Sequence, residues 1–214
     1  MVLRVQNLGK RFNRHWIFRR INYEFNLGSA YAITGANGSG KSTFLQVLAG
    51  AMQQSEGNIF WQKKGEVQTN EIGGRLETND KLYKVLAIAA PYLEVIEELT
   101  LKEFLTFHFQ FKTIFPGCTI EQIINYISLK ESSNKQIRYY SSGMKQRVKL
   151  AQAFFSDTPV ILLDEPTTNL DTVGIELYHR LIQNFCSKRL LIICSNDENE
   201  ISGCGHRINM ADFK

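Results

Sequence analysis

Gly35-Ala36-Asn37-Gly38-Ser39-Gly40-Lys41-Ser42 is the stretch on which the reading of the whole chain turns. Its glycines and small side chains let successive backbone N–H groups turn inward around an anion, and a lysine and a hydroxyl close the run. Residues 29–34 before it read as a short apolar strand, and residues 42–51 after it have helical spacing at Phe44, Leu45, Leu48 and Ala49. A strand, a glycine-rich turn and a helix N-terminus make a phosphate cradle, because the helix dipole adds positive potential where the loop's donors converge. Lys41 is placed to reach the β- and γ-phosphates, and the Ser42 hydroxyl to ligate Mg²⁺. Gly35, Ala36, Asn37, Gly38, Ser39, Gly40, Lys41, Ser42 and the following Thr43 are the expected nucleotide contacts.

A second stretch supplies the acidic partner. Val160-Ile161-Leu162-Leu163 is an apolar strand, and it ends in Asp164-Glu165-Pro166. Carboxylates in that position emerge at the C-terminal edge of a parallel sheet, where ligands bind. Asp164 is expected to hold Mg²⁺ through water, and Glu165 to orient or deprotonate an attacking water.

The remaining pattern is that of one ordinary globular unit. Among 214 residues, 43% are apolar, 21% charged and 11% aromatic, with 4 prolines, which excludes disorder and collagen. The longest apolar runs are strand-sized, far short of the roughly 18 residues of a membrane span. The opening MVLRVQNLGKRF turns polar too early for a secretory segment, so a cytoplasmic location is expected. Cys118, Cys186, Cys194 and Cys204 form no CxxC pair, which suggests neither a zinc ribbon nor a redox dithiol. A net charge of +4 is too small to imply nucleic-acid binding. The six basic residues among the first 20 read either as a solvated edge or as a surface beside a polyphosphate or anionic headgroups.

Runs at residues 3–8, 21–27 and 58–62 read as an N-terminal antiparallel sheet. Between residues 91 and 140 the pattern turns helical, with Leu101, Phe104, Leu105 and His108 on one stripe and Ile120, Ile123, Ile124 and Ile127 on another. A further helix spans 142–155 and a buried strand 190–194. Strands alternating with helices imply a parallel sheet.

Tyr140-Ser141-Ser142-Gly143-Met144-Lys145-Gln146-Arg147 opens the helix before the acidic strand. A serine and a glycine at a helix N-terminus make a second anion site. The run resembles the signature motif of ABC-type ATPases, a variant of Leu-Ser-Gly-Gly-Gln, and with the other two motifs the resemblance covers essentially the whole chain. It implies an α/β fold: a P-loop NTPase (RecA-like) parallel-sheet core, 1–90 and 141–214, with an N-terminal antiparallel β-subdomain and an inserted helical subdomain at 91–140, all one domain over 1–214. It also implies an ATP-hydrolysing subunit that pairs head to tail with a second copy or a paralogue and drives a separate membrane permease, peripherally at the inner face of the membrane. Ser141 and Gly143 then contact the γ-phosphate held by the other copy, Asp171 in Thr168-Asn169-Leu170-Asp171 lies at the dimer interface, and Phe12 stacks on adenine, with Trp16 as its alternative.

Two positions depart from the family pattern. Tyr92 stands where the family has a glutamine that touches Mg²⁺ and water. Asn196, in Cys194-Ser195-Asn196-Asp197, stands where it has a histidine. Asparagine can donate a neutral hydrogen bond to a γ-phosphate but cannot become cationic. The alternatives to a transporter subunit, possible exporter type included, are a non-transport ABC ATPase and a nucleotide-gated switch of low turnover. The short span between Lys41 and Ser141 leaves no room for a long coiled-coil arm, which counts against the first. Phe107 and Phe109 fall off the apolar stripe of their helix and are candidates for a permease contact.

Overall fold

Two sheets with a helix between them organise the chain, as seen in a computed structural model that describes residues 2–62 and 79–214. β1 (Val2–Phe12), β2 (His15–Asn26) and β4 (Glu56–Gln62) form an antiparallel sheet in the order β2-β1-β4. β3 (Ala30–Thr34), β5 (Leu86–Ala89), β6 (Val160–Asp164), β7 (Leu190–Cys194) and β8 (His206–Asn209) form a five-stranded sheet in the order β5-β6-β7-β3-β8. Every pairing in it is parallel.

Every residue of β6 and β7 is buried, which is why both read as unbroken apolar runs and not as alternating ones. Their side chains still alternate between two cores. Leu162 and Ile192 join Ile33, the α1 (Lys41–Leu48) residues Phe44, Leu45 and Leu48, and Leu3, Val5, Phe18 and Phe25 of the antiparallel sheet. The rings of Phe18 and Phe44 meet edge to face at 5.6 Å. Ile161, Leu163, Leu191 and Ile193 instead share a core with the helices of the other face. These include α3 (Leu101–Phe111), α4 (Ile120–Tyr126), α5 (Ser142–Phe154) and α6 (Thr172–Phe185).

α3 and α4 each begin with a capping box, Thr100 with Glu103 and Thr119 with Gln122, so two orphan donors are paired at each start. Leu101, Phe104 and Leu105 are buried, as are Ile123, Ile124 and Ile127. His108 is half-buried, and its Nε2 lies 3.1 Å from the Ser156 hydroxyl. Phe109 packs on the core, whereas Phe107 is 44% exposed, so only Phe107 of that pair remains open.

Several elements differ from the sequence reading. β2 begins at His15, well before residue 21, because its first residues pair with the end of β1. Residues preceding α3, from Pro91, form turns and not helix. α2 (Asn79–Val85) and β8 carry no clear periodicity; β8 has four residues at the sheet edge, only Ile208 of them buried. Residues 63–78 of the expected first core segment lie outside the described residues.

Arg189, 5% exposed, closes the far end of α5. Its guanidinium donates to Phe154 O at 2.8 Å and Ser156 O at 2.9 Å, and lies 4.5 Å from the centre of the Phe115 ring. Arg189→Ala would remove the guanidinium from Phe154 O and leave Ser156 O with only Thr158 N–H at 2.9 Å, and we expect a loss of about 1–3 kcal/mol in urea unfolding. Arg189→Lys should recover only part of it, since an ammonium cannot present a fork to both carbonyls. Full recovery by lysine would show that the fork is not what matters.

Burial, reinforced by the Lys112 ammonium, pulls His108 from 6.5 down to about 4. The histidine is therefore neutral in the fold at pH values where the unfolded chain protonates it. It costs no stability above about 6.5, and subtracts progressively as pH falls towards about 4. His108→Gln should flatten the drop in melting temperature over that window in calorimetric scans. An unchanged slope would mean that other groups carry the acid sensitivity.

Candidate functional site

The C-terminal ends of β3, β7 and β6 lie side by side, and the loops that leave them converge. Residues 35–40 connect β3 to α1, with Gly35, Gly38 and Gly40 all at positive φ. Glycine is required at Gly40 by contact as well as by conformation: a Cβ there would sit 2.5 Å from Ile17 Cγ2. That contact also seats β2 against the loop. Gly40 caps α1 with no side-chain acceptor, so its first N–H groups find no capping side chain. The Ser39 hydroxyl is buried without a partner. Lys41, 6% exposed, donates to Gly35 O at 2.7 Å and approaches Ala36 O at 3.4 Å. Ser42 and Thr43 follow, half-buried, in the first turn of α1.

Asp164 ends β6 and is 2% exposed. Burial pushes its carboxyl above the usual range, a hydrogen bond from Ser42 opposes this, the Glu165 charge adds to it, and Lys41 relieves it. Lys41, Ser42 and Asp164 are thus one electrostatic cluster. Glu165 follows with an exposed side chain and a φ of 43°, in the left-handed region that costs a residue with a Cβ about 1–2 kcal/mol.

Four bonds hold that conformation. Glu165 N–H donates to Cys194 O at 3.0 Å. The buried Gln146 of α5 donates its amide to Pro166 O at 2.7 Å. Glu200 of α7 (Glu198–Ile201), 4% exposed, accepts from Thr167 N–H at 2.6 Å and also from the Thr167 hydroxyl. Tyr178 in turn donates to Glu200 O at 2.8 Å. Gln146 and Glu200 escaped the sequence reading. Gln146 carried a signal, a polar residue on the apolar stripe with Leu150 and Ala153; Glu200 carried none to set it apart from Glu198.

Asn196 lies just beyond β7 with both ends of its amide bound: Oδ1 accepts from Gly35 N–H at 3.0 Å and Nδ2 donates to Gly35 O at 2.8 Å. Tyr92 is 41% exposed; burial and the Asp164 charge raise its hydroxyl above the ordinary range, against a hydrogen bond with Gln46 of α1.

Ser141, Gly143 and Asp171 assemble elsewhere. They line an open cleft of about 710 Å³ with Ser128, Lys130, Arg147 and Asn169, and no residue of the phosphate loop reaches it. Ser141 caps α5, accepting from Met144 N–H at 3.2 Å. A Cβ at Gly143 would lie 2.8 Å from Asn169 O, so glycine permits the loop after Glu165 to touch the start of α5. Asp171 caps α6 through Gly174 N–H at 2.8 Å and pairs with Arg147 at 2.8 Å, and both hold its carboxyl below the usual range.

Phe12 ends β1, is 46% exposed, and has Lys10 5.0 Å from its ring centre. Trp16 is half-buried under the guanidinium groups of Arg19, at 4.2 Å, and Arg11, at 5.5 Å, which leaves Phe12 as the freer ring. Among the described residues, no helix is long and apolar enough to cross a membrane and all four cysteines are free.

The same arrangement is met in known proteins. The sequence profile of the family described as ABC transporter matches residues 18–168. The chain is 29% identical over 197 residues to the lantibiotic transport ATP-binding protein SrtF of Streptococcus pyogenes, covering 91% of this chain and 80% of that one. It is 27% identical over 201 residues to the cytochrome c biogenesis ATP-binding export protein CcmA of Agrobacterium fabrum, covering 92% and 90%. The fold matches the dimeric structure of the bacterial ABC transporter cassette MJ0796 at a TM-score of 0.78 with 20% identity, covering 97% of this chain and 94% of that one. With a phosphate loop, an acidic strand end and a capped signature helix in place, this chain belongs to the ABC transporter family, as an ATP-binding, ATP-hydrolysing subunit.

Proposed function

We propose that this subunit closes on Mg-ATP as a head-to-tail pair, with a second copy or a paralogue, and that closure drives a separate membrane permease from the inner face of the membrane. The observation that carries this is the separation of two anion-binding surfaces. The phosphate loop with Lys41 and Ser42 forms one, with the carboxylates of Asp164 and Glu165 beside it, and the cleft of Ser141 and Gly143, which shares no residue with the phosphate loop, forms the other. A γ-phosphate held by the first is completed by the second only across an interface.

The residues present fit the nucleotide and its metal. The unpartnered Ser39 hydroxyl and the uncapped start of α1 offer donors, and Lys41, resting on the loop's own carbonyls, is free to exchange them for phosphate oxygens. Ser42 and Asp164 supply the hard oxygen donors that Mg²⁺ prefers. Bound there, the cation neutralises phosphate charge and relieves the burial of the Asp164 carboxylate. Glu165 presents an exposed carboxylate at the sheet edge to orient the lytic water and accept its proton. Phe12 is the adenine platform. In this reading residues 1–90 and 141–214 form the nucleotide core and 91–140 the helical subdomain. Phe107 and Phe111, an edge-to-face pair at 5.2 Å that is 44% and 61% exposed, offer the permease an apolar contact.

Lys41→Ala should weaken ATP binding at least tenfold, about 1.4 kcal/mol, in calorimetric titration. Equal affinity would remove the phosphate-loop assignment. Glu165→Gln should slow hydrolysis while sparing both anion surfaces, so the ATP-bound dimer should accumulate on gel filtration with saturating Mg-ATP. A mutant that stays monomeric, alone and with its permease, would count against closure in pairs.

A further inference from the structure

The carboxamide of Asn196 does more than occupy a position next to the phosphate loop. Backbone pairing between β3 and β7 runs through Ile33 with Cys194, and Ser195 N–H then donates to Ile33 O at 3.1 Å. Where the main chains part, the Asn196 side chain continues the ladder, accepting from Gly35 N–H and donating to Gly35 O. The backbone that carries it is held on both sides: Asp197 N–H donates to the Ser195 hydroxyl at 2.9 Å, and Asp197 caps α7 through Asn199 N–H at 2.9 Å.

Gly35 O is a shared acceptor, taking Lys41 Nζ at 2.7 Å and Asn196 Nδ2 at 2.8 Å. When Lys41 leaves for phosphate oxygens, the asparagine bond keeps that carbonyl paired and the first peptide of the cradle in place. An amide presents its donor and acceptor side by side, matching both groups of one residue; an imidazole carries them on separate ring positions and cannot match both.

We propose that Asn196 is a positioning residue of the phosphate loop, which clamps both backbone groups of Gly35 and so acts on the nucleotide through the loop, without touching the γ-phosphate. This rests on the nucleotide reading of the loop. Its signature is indifference to the third phosphate, because Gly35 serves di- and triphosphate alike.

The test titrates Mg-ADP and the Mg complex of a non-hydrolysable ATP analogue into the wild-type subunit, Asn196→Ala, Asn196→His and Lys41→Ala, and follows exchange of the Gly35 amide hydrogen. Both Asn196 variants should weaken the two nucleotides by the same factor, about three- to tenfold, the weight of roughly one neutral hydrogen bond. Exchange at Gly35 should quicken, and the melting temperature should barely move because Asn196 is exposed. A loss confined to the triphosphate, an unchanged affinity for ADP, or an unchanged exchange rate at Gly35 would each overturn the proposal. If Lys41→Ala left both affinities intact, the nucleotide assignment itself would fall.

Discussion

A parallel sheet buried on both faces can present polar groups only at the ends of its strands, and that constraint shapes everything else in this protein. β6 and β7 have no exposed residue along their length. Their polar chemistry therefore begins where the strands stop, at Asp164, Glu165 and Ser195-Asn196, and β3 stops beside them at Gly35. Because β7 lies between β6 and β3, the three loops share one edge. The phosphate loop, the acidic pair and the clamp on Gly35 are consequences of strand order as much as of side-chain identity.

Holding charge at that edge has a cost, which the neighbouring structure offsets. Asp164 is buried and its ionised form is disfavoured, so the hydroxyl of Ser42 and the ammonium of Lys41 are part of what keeps it useful. Glu165 occupies a left-handed conformation that its Cβ resists, and it persists because Cys194, Gln146 and Glu200 fix the backbone around it. Gln146 belongs to the signature helix, and Gly143 at the start of that helix touches Asn169. Glu200 belongs to the helix that follows Asn196. The loop after the acidic strand is thus tied both to the helix that opens at Ser141 and to the helix that follows Asn196.

Much of this was legible because the relevant signals are local. The glycine-rich loop, the apolar strand with its two terminal carboxylates and the helix opened by Ser141 each announce themselves within a dozen residues. What escaped reading was what local signals cannot carry. β8 is a short edge strand whose exposed residues give no period, β2 gains its first residues by pairing with β1, and Glu200 looks like any other acid in a polar run.

By itself the sequence determined the fold class and marked out the candidate nucleotide site, since a loop that must turn N–H groups inward needs glycine, and a strand buried on both faces must be apolar until it ends. Only the tertiary structure decided how those parts are held. That Asn196 spends both ends of its amide on Gly35, that Trp16 lies under two guanidinium groups while Phe12 stands open, and that Phe109 is core while Phe107 is not are outcomes of which surfaces meet. A side chain's chemistry is written in its identity. Its partners are set by chain segments as distant as residues 35 and 196, whose approach no local pattern encodes.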